Sequence, residues 1–281
     1  MDGLYLVYNR RELIDPDPLM FLYDYGDIAD REIAGLVASC LAYGRVAQIL
    51  KSVKNILSAM GKSPYRFLLR PHTSKATLLE LYGGFKHRFT TSDDLAALLS
   101  LVSKALREHG SLEALMKSYL PVGGVKNHDG FLKTLGRFSL HLSPDEKSGF
   151  SLLPSPQDGS ACKRLMLYIK WMTRRDDVDP GGWTVFKPRD LVMPIDTHIH
   201  NIASHLGLTA RAAADIKAAV EITEAFARIS PEDPTRYDFA LTRFGIRGAL
   251  SVNELFDYAS EANFSFPPAN LALLTTKRAA L

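Results

Sequence analysis

The stretch ACKRLMLYIKWMTRR, residues 161–175, decides the fold of this chain more than any other segment. Its apolar residues recur at steps of three and four, which is the pattern of an amphipathic helix. The face that they form carries Leu165, Tyr168, Ile169 and Met172. The same spacing recurs along the chain, whereas the alternation of a half-buried strand is rare. The sequence therefore predicts an all-α protein.

Helix boundaries follow from capping signals; Ser92, for example, opens one helix and Gly110 ends it. The predicted helices cover residues 10–13, 30–57 with an interruption at 43–45, 78–82, 92–108, 111–119, 131–142, 161–175, 196–206, 211–229 and 236–244. The predicted irregular segments are residues 121–130, 143–155 and 178–194. We expect a single orthogonal helical bundle over residues 1–281, with two lobes at about 30–142 and 150–260 and a short extension at each end.

The composition is that of an ordinary globular protein, with 46% apolar and 23% charged residues among 281. No apolar run approaches the roughly 20 residues of a membrane helix, and the N-terminus lacks the apolar core of a signal peptide. The two cysteines, Cys40 and Cys162, are too few for a disulfide scaffold, a zinc ribbon or a four-cysteine iron–sulfur site. We expect two reduced, buried thiols in a soluble cytoplasmic protein. The net charge of +3 is too small to indicate a nucleic-acid partner.

Three features that could take part in catalysis or ligand binding cluster in the second half of the chain. The first is PSPQDGSACK, residues 154–163, a turn-rich segment that opens into a helix, where free backbone N–H groups favour a bound phosphate. The second is Lys163 on the first turn of that helix. The basic residues that follow it are Arg164, Lys170, Arg174 and Arg175. The third is MPIDTHIH, residues 193–200, which places Asp196 at the start of a helix.

Each of these features also has a purely structural interpretation. Asp196 is a good helix N-cap, and lysines such as Lys163 usually lie solvated on the surface. Arg174 and Arg175 would complement the dipole at a helix end. None of the signals is specific by itself, so the order in which they occur is the informative feature.

That order resembles the helix-hairpin-helix (HhH-GPD) superfamily of DNA glycosylases. The run Ile195-Asp196-Thr197-His198-Ile199 is similar to the superfamily's Val/Ile-Asp-Thr-His-hydrophobic motif, and Lys163 stands where lyase-competent members carry a nucleophilic lysine. The 33-residue spacing from Lys163 to Asp196 looks more like the archaeal 8-oxoguanine glycosylase branch than the endonuclease III branch. The whole chain also resembles a family of uncharacterised bacterial proteins related to this superfamily.

The resemblance implies a base-excision repair glycosylase, with AP-lyase activity, that removes an oxidised base such as 8-oxoguanine from double-stranded DNA. Lys163 would attack C1′ of the sugar, and Asp196 would stabilise the positive charge of the transition state. The implied DNA contacts are Gly159, Ser160, Arg164, Lys170, Arg174 and Arg45, and the implied base pocket is Tyr43, Trp183 and Phe186. No cofactor or metal is implied, and a nucleoid-associated protein is expected.

A lysine nucleophile needs a lowered pKa, which burial near Leu165 and Trp171 would supply to Lys163. Lys170, seven residues further on, is the rival nucleophile. Two segments depart from the superfamily pattern. The usual Leu-Pro-Gly-Val-Gly hairpin is replaced by LPSPQDG at 153–159, and no cysteine cluster follows Gly245, so an iron–sulfur cluster is not expected.

Two other classes of function remain open. A metal hydrolase would use Asp196, His198, His200 and His205, which lie within ten residues. On the predicted helix, however, His198 and His200 would point about 200° apart. The second alternative is a catalytically inactive DNA- or RNA-binding protein of the same fold, which the reshaped hairpin favours.

Overall fold

The computed structural model describes residues 1–143 and 152–246, which are mostly helical. The α-helices are α1 (Asp2–Tyr8), α2 (Ile28–Cys40), α3 (Val46–Met60), α4 (Pro64–Leu68), α5 (Lys75–Leu81), α6 (Ser92–His109), α7 (Leu112–Ser118), α8 (His128–Leu142), α9 (Lys163–Thr173), α10 (Thr197–His205), α11 (Ile216–Ala227) and α12 (Asp238–Ile246). Short 3-10 helices cover Arg11–Leu13, Pro18–Asp24, Pro156–Asp158 and Pro188–Asp190. The strands β1 (Lys86–His87) and β2 (Thr90–Thr91) form one small antiparallel hairpin. The prediction of an all-α protein is confirmed.

Helices α2 and α9 meet in the centre of the core. All four residues of the predicted apolar face of α9 are completely buried. On α2, a Cβ placed at Gly35 would lie 3.4 Å from Tyr168 Cε2 and 3.5 Å from Met172 Sδ. The α2 backbone therefore lies directly against α9 side chains, and this contact fixes the position of Lys163 relative to the end of α2.

The segment predicted as one interrupted helix over residues 30–57 is two helices, α2 and α3, joined by a loop at residues 41–45. Gly44 in this loop has φ +97°. Glycine adopts this angle readily, but it is incompatible with an α-helix, so the helix must end before it. A Cβ at Gly44 would lie 2.7 Å from Arg88 Cδ, so the β1–β2 hairpin packs closely against the loop. The hairpin thus holds the loop in place.

Some helix ends differ from the prediction because a side chain caps the helix elsewhere. Helix α8 begins before residue 131 because Asn127 Oδ1 accepts the N–H of Gly130 at 2.9 Å. Helix α11 begins after residue 211 because Asp215 Oδ1 accepts the N–H of Ala218 at 2.8 Å. The helix predicted near residue 10 is only a 3-10 turn, and α1 and α4 are absent from the prediction.

Both cysteines are buried and unpaired, as predicted. Within the described residues, no helix combines the length and the apolar character needed to span a bilayer. The predicted lobe at 150–260 includes residues 247–260, and the predicted connector at 143–155 includes residues 144–151; both of these stretches lie outside the described residues.

Candidate active site

A cavity of about 760 Å³ lies where the loop at 41–45 meets the first turns of α9, α10 and α12. Its wall includes Tyr43, Lys163, Lys170, Trp171, Asp196 and Asp238. Lys163 and Asp196, which the sequence singles out on separate helices, therefore share one cavity.

Lys163 and Asp196 are in direct contact, with Lys163 Nζ 2.5 Å from Asp196 Oδ2. Lys163 is the first residue of α9, and Asp196 is the N-cap of α10, where its Oδ1 accepts the N–H of Ile199 at 2.9 Å. One carboxylate oxygen caps a helix while the other faces the lysine. The structural and the catalytic interpretations of Asp196 are therefore compatible.

The two side chains of this pair remain accessible from solvent, with 29% of Lys163 and 35% of Asp196 exposed. Burial alone would raise the pKa of Asp196, but the Lys163 ammonium and the Ile199 N–H hold it below its usual range. The carboxylate is therefore ionised and positions the lysine amine. The apolar burial of Lys163 expected from the sequence is not found, because a carboxylate and solvent surround the amine instead.

The residue before Lys163 has a strained backbone. Cys162 is buried and has φ +49°, in the left-handed region that residues with a Cβ rarely adopt. Its N–H donates to Ser160 Oγ at 3.2 Å, which holds the turn. Strain of this kind concentrates at functional sites, because the surrounding structure must enforce it. Here α9 begins directly after the strained turn, at the cavity wall, so that Lys163 lies in contact with Asp196.

Asp238 is a site residue that the sequence analysis missed. It is 3% exposed on the cavity wall, and its Oδ2 lies 3.2 Å from Lys170 Nζ. Burial raises the pKa of Asp238, although Lys170 and Lys163 oppose this effect. Its Oδ1 has no hydrogen-bond partner among the described residues, and burying a carboxylate oxygen in this way costs free energy. Little in the sequence singles out Asp238, because an acidic residue in the first turn of a helix is usually explained by its favourable interaction with the helix dipole.

The predicted phosphate contacts Lys170 and Arg174 are wrong, because both side chains are buried in an ionic network. Lys170 Nζ lies 3.0 Å from Asp179 Oδ2 and 3.2 Å from Asp238 Oδ2. Desolvation opposes the charge on Lys170, but Asp179 and Asp238 raise its pKa above the ordinary value. Lys170 is therefore a buried, charged member of this network, which disfavours it as the rival nucleophile. The carboxylates that bind Arg174 belong to Asp176, Asp179 and Asp233.

Of the three aromatic residues predicted to form the base pocket, Tyr43 lines the cavity and the other two lie in the core. Trp183 is buried and donates its Nε1–H to Glu32 Oε2 at 3.1 Å. Phe186 packs edge-on against a core phenylalanine, with ring centroids 4.9 Å apart. The prediction is wrong for Trp183 and Phe186, because the irregular segment at 178–194 has no periodicity from which buried and exposed side chains could be distinguished.

Tyr43 is held at the cavity wall by contacts to its hydroxyl group and to its ring. Its hydroxyl donates to the His87 carbonyl oxygen at 2.7 Å, and the Arg164 guanidinium lies 5.2 Å from its ring centroid. Arg164 also donates to the Cys40 carbonyl oxygen at 3.0 Å, where a cation complements the C-terminal end of α2. Arg164 therefore lines the cavity, and these contacts position both Tyr43 and α2.

The remaining predicted DNA contacts, Gly159, Ser160 and Arg45, are exposed. The Gly159 N–H closes a turn onto the Pro156 carbonyl oxygen at 3.2 Å, and Ser160 forms an isolated antiparallel bridge with Asp215. The N–H of Gly159 is thus engaged within the protein rather than free for a phosphate. Arg45 directly follows Gly44 of the cavity wall. The assignment of these three residues to DNA binding stays a prediction.

The histidines near Asp196 do not form part of any group of three metal-ligating side chains among the described residues. His200 is buried, and its Nε2 lies 3.0 Å from the Arg211 carbonyl oxygen. His205 Nδ1 lies 2.8 Å from the Asn201 carbonyl oxygen. The metal-hydrolase alternative therefore has no geometric support at this position.

Comparison with known proteins gives one match. A family model described as a protein of unknown function (DUF2400) matches residues 17–247, a range that contains Lys163, Asp196 and Asp238. No curated protein and no solved structure gives a significant match. Because the matched range covers most of the 281 residues, this chain belongs to the DUF2400 family of proteins of unknown function.

Proposed function

We propose that this protein is a DNA base-excision repair glycosylase with an accompanying AP-lyase step. The observation that carries the proposal is the direct contact of Lys163 with Asp196 on the wall of a cavity. A lysine amine beside a carboxylate supplies both the nucleophile and the proton acceptor that this chemistry needs.

In the proposed reaction, Asp196 accepts a proton from the Lys163 ammonium, and the freed amine attacks C1′ of the damaged nucleotide. The bond from Nζ to C1′ forms while the bond from C1′ to the base nitrogen breaks, and the base leaves with the electron pair and takes the proton that Asp196 accepted. As that proton leaves, Asp196 becomes a carboxylate again and stabilises the positive charge that develops on the sugar in the transition state. A proton then moves from the attached amine to O4′, the bond from C1′ to O4′ breaks, and Nζ and C1′ are joined by a protonated Schiff base. Asp196 accepts a proton from C2′, the electrons of that C–H bond form a double bond between C2′ and C3′, and the 3′ phosphate leaves with the electron pair of its bond to C3′, which cleaves the strand.

The cavity suits an extruded base. Its volume of about 760 Å³ lies within the usual range for small-molecule pockets. Tyr43 on the cavity wall is the aromatic side chain next to which we expect the base to lie, and Asp238 is a carboxylate on the same wall. An oxidised purine such as 8-oxoguanine is flat and has several N–H donors, so it matches a cavity whose wall includes an aromatic ring and carboxylates.

The proposal includes the finer fold assignment, a two-lobed bundle of the HhH-GPD type, and a cytoplasmic, nucleoid-associated location. Damaged double-stranded DNA would lie across Gly159, Ser160 and Arg45 at the edge of the cavity. Phe89, at the tip of the β1–β2 hairpin, is 63% exposed, and the neighbouring Arg88 packs against the cavity loop. An exposed phenylalanine so close to the cavity is suited to enter the space that an extruded base leaves.

The proposal is tested by incubating the full chain with duplexes that carry 8-oxoguanine, uracil or an abasic site, in the presence of borohydride. Reduction of the Schiff base fixes the enzyme to the DNA, so the expected result is a covalent adduct with one of these lesions. Lys163→Ala should give none. The matched control is Lys217→Ala, which removes an exposed lysine of α11 outside the cavity wall and should trap DNA like the wild type.

The other outcomes separate the alternatives. If no lesion gives an adduct or a cleaved strand while duplex DNA still binds in a salt-dependent manner, the inactive DNA-binding protein is the better description. If the protein neither reacts with nor binds DNA, both descriptions fail.

A further inference from the structure

Three side chains with metal-binding chemistry converge away from the cavity, at the adjacent C-terminal ends of α6 and α8. Glu108 and His109 lie in the last turn of α6, and His141 lies in the last turn of α8. One potential ligand atom from each residue, a carboxylate oxygen and two imidazole nitrogens, lies within 4.8 Å of the other two. None of the three residues lines the cavity that contains Lys163.

The orientation of His141 is held by a neighbouring side chain. Its Nδ1 lies 2.7 Å from the hydroxyl oxygen of Tyr119, the residue that ends α7. Nε2 is therefore the nitrogen that remains to bind an ion. Histidines that ligate metals commonly hold their other ring nitrogen in a hydrogen bond, which fixes both the tautomer and the ring orientation.

The two imidazoles also lie close together. The ring centroids of His109 and His141 are 5.9 Å apart, and the ring planes are inclined by 76°, so the rings meet edge to face rather than stacked. The two rings are therefore close enough for one ion to contact both of them.

We propose that Glu108, His109 and His141 bind one divalent transition-metal ion, with Zn²⁺ as the representative. Imidazole and carboxylate ligands together suit this class of ion, whereas Mg²⁺ and Ca²⁺ prefer ligands that are all oxygen. Metal–ligand bonds of about 2.0–2.2 Å require the ligand atoms to approach one another by roughly 1 Å. Glu108 is exposed, and it can supply that movement if it gives up its long ion pair with Lys104, in which Nζ and Oε1 are 3.8 Å apart.

The ion would cross-link the C-terminal ends of α6 and α8. Three protein ligands leave the fourth position of a tetrahedral ion to water. Because the ion would bind the folded chain and not the unfolded one, it would raise the stability of the fold by mass action. This role does not depend on the proposed glycosylase activity, because the three ligands lie outside the cavity wall.

The test is a calorimetric titration of the metal-free full chain with Zn²⁺, together with thermal unfolding at increasing Zn²⁺ concentration. One ion per chain should bind, and the Tm should rise with Zn²⁺. His109→Ala and His141→Ala should each abolish this binding. Tyr119→Phe should weaken it on the order of 10–100-fold, because the phenol is expected to orient His141. The matched control is His72→Ala, which removes an exposed histidine elsewhere and should leave binding unchanged.

A Co²⁺ titration gives a second readout, since visible absorption of the bound ion reports its coordination; the signal should disappear in His141→Ala. Because Glu108 is exposed, Glu108→Gln should fold even if a histidine variant does not, and it should also weaken Zn²⁺ binding. The proposal is overturned if the wild type binds no Zn²⁺. It is also overturned if one-to-one binding persists in a folded variant that lacks both His109 and His141, which would place the ion elsewhere.

Discussion

Lys163 and Lys170 lie seven residues apart on α9, and each contacts aspartates, but their surroundings differ. The Lys163 side chain is 29% exposed and contacts one carboxylate, that of Asp196. The Lys170 side chain is 1% exposed and is held by two carboxylates, those of Asp179 and Asp238. A step of seven residues is close to two helical turns, so both lysines point toward the same cavity.

The comparison shows that two lysines on one helix can differ in role because their side chains differ in burial and in the number of carboxylates that they contact. In the proposed reaction, the single accessible carboxylate at the outer position takes the proton from the amine. At the inner position, two carboxylates favour the charged ammonium and the side chain is buried, so we expect the amine not to act as a nucleophile, and removal of the lysine would leave the carboxylates unpaired. The two positions should therefore separate activity from stability.

The largest expected effect, and the sharpest way to break this comparison, is the loss of borohydride trapping in Lys163→Ala. The adduct should fall to background because no other accessible lysine contacts Asp196 among the described residues. The free energy of unfolding should change by less than about 1 kcal/mol, because Lys163 forms a partly exposed ion pair. Trapping gels and urea unfolding measure the two quantities. An adduct that persists in this variant would make another residue the nucleophile.

The next effect is on the rate of base release in Asp196→Asn. Asparagine still caps α10, so the helix should remain, but it cannot accept a proton or carry charge. The single-turnover rate should fall by about 10²–10⁴-fold. A normal rate in this variant would restrict Asp196 to its capping role.

Lys170→Ala should act on stability rather than on chemistry. Removal of one partner from a buried ionic network leaves unpaired charge, and the free energy of unfolding should fall by about 3–5 kcal/mol. Urea unfolding of this variant beside Lys163→Ala measures the contrast directly. Equal losses of stability in the two variants would contradict the assignment of one lysine to the network and the other to the active site.

Glu32, a buried carboxylate that pairs with no cation among the described residues, extends the comparison to the pH dependence of stability. Glu32 accepts N–H groups from Leu112, Glu113 and Trp183, and burial raises its pKa from the ordinary 4.5 to about 7. The folded state thus keeps this proton up to about pH 7, whereas the unfolded state releases it near pH 4.5. The stability of the wild type should therefore fall by up to about 3 kcal/mol as pH rises through this window, and then level off. This component should be missing in Glu32→Gln, as urea unfolding across the window would show.

The smallest expected effect is on DNA binding, and it comes from comparing a buried arginine with an exposed one. Arg174 is buried in the ionic network, whereas Arg45 is exposed beside the cavity loop. Arg45→Ala should weaken DNA binding uniformly across sequences and should reduce the slope of log K against log salt by about 1. The fold should be unaffected. An unchanged slope would remove Arg45 from the proposed DNA-binding surface.

The sequence by itself determined the helical class, because amphipathic periodicity and capping residues act within a few residues of one another. It also predicted the apolar face of α9 and singled out Lys163 and Asp196, whose side chains are in contact in the structure. The capping role of Asp196 depends on local sequence and could be predicted from it. The pairing of Lys163 with Asp196 was an expectation from the family resemblance, because no local pattern specifies a contact across 33 residues.

Tertiary structure alone decided how deep each side chain lies and which distant groups it meets. Lys170 and Arg174 appear in the sequence as basic residues like any others, and only the approach of Asp179, Asp233 and Asp238 makes them structural. Trp183 and Phe186 lie in a segment without periodicity, so their burial could not be predicted. Asp238, and the group formed by Glu108, His109 and His141, depend on contacts between helices far apart in sequence. Burial and through-space contacts set the electrostatics of a site, and both arise only when the chain has folded.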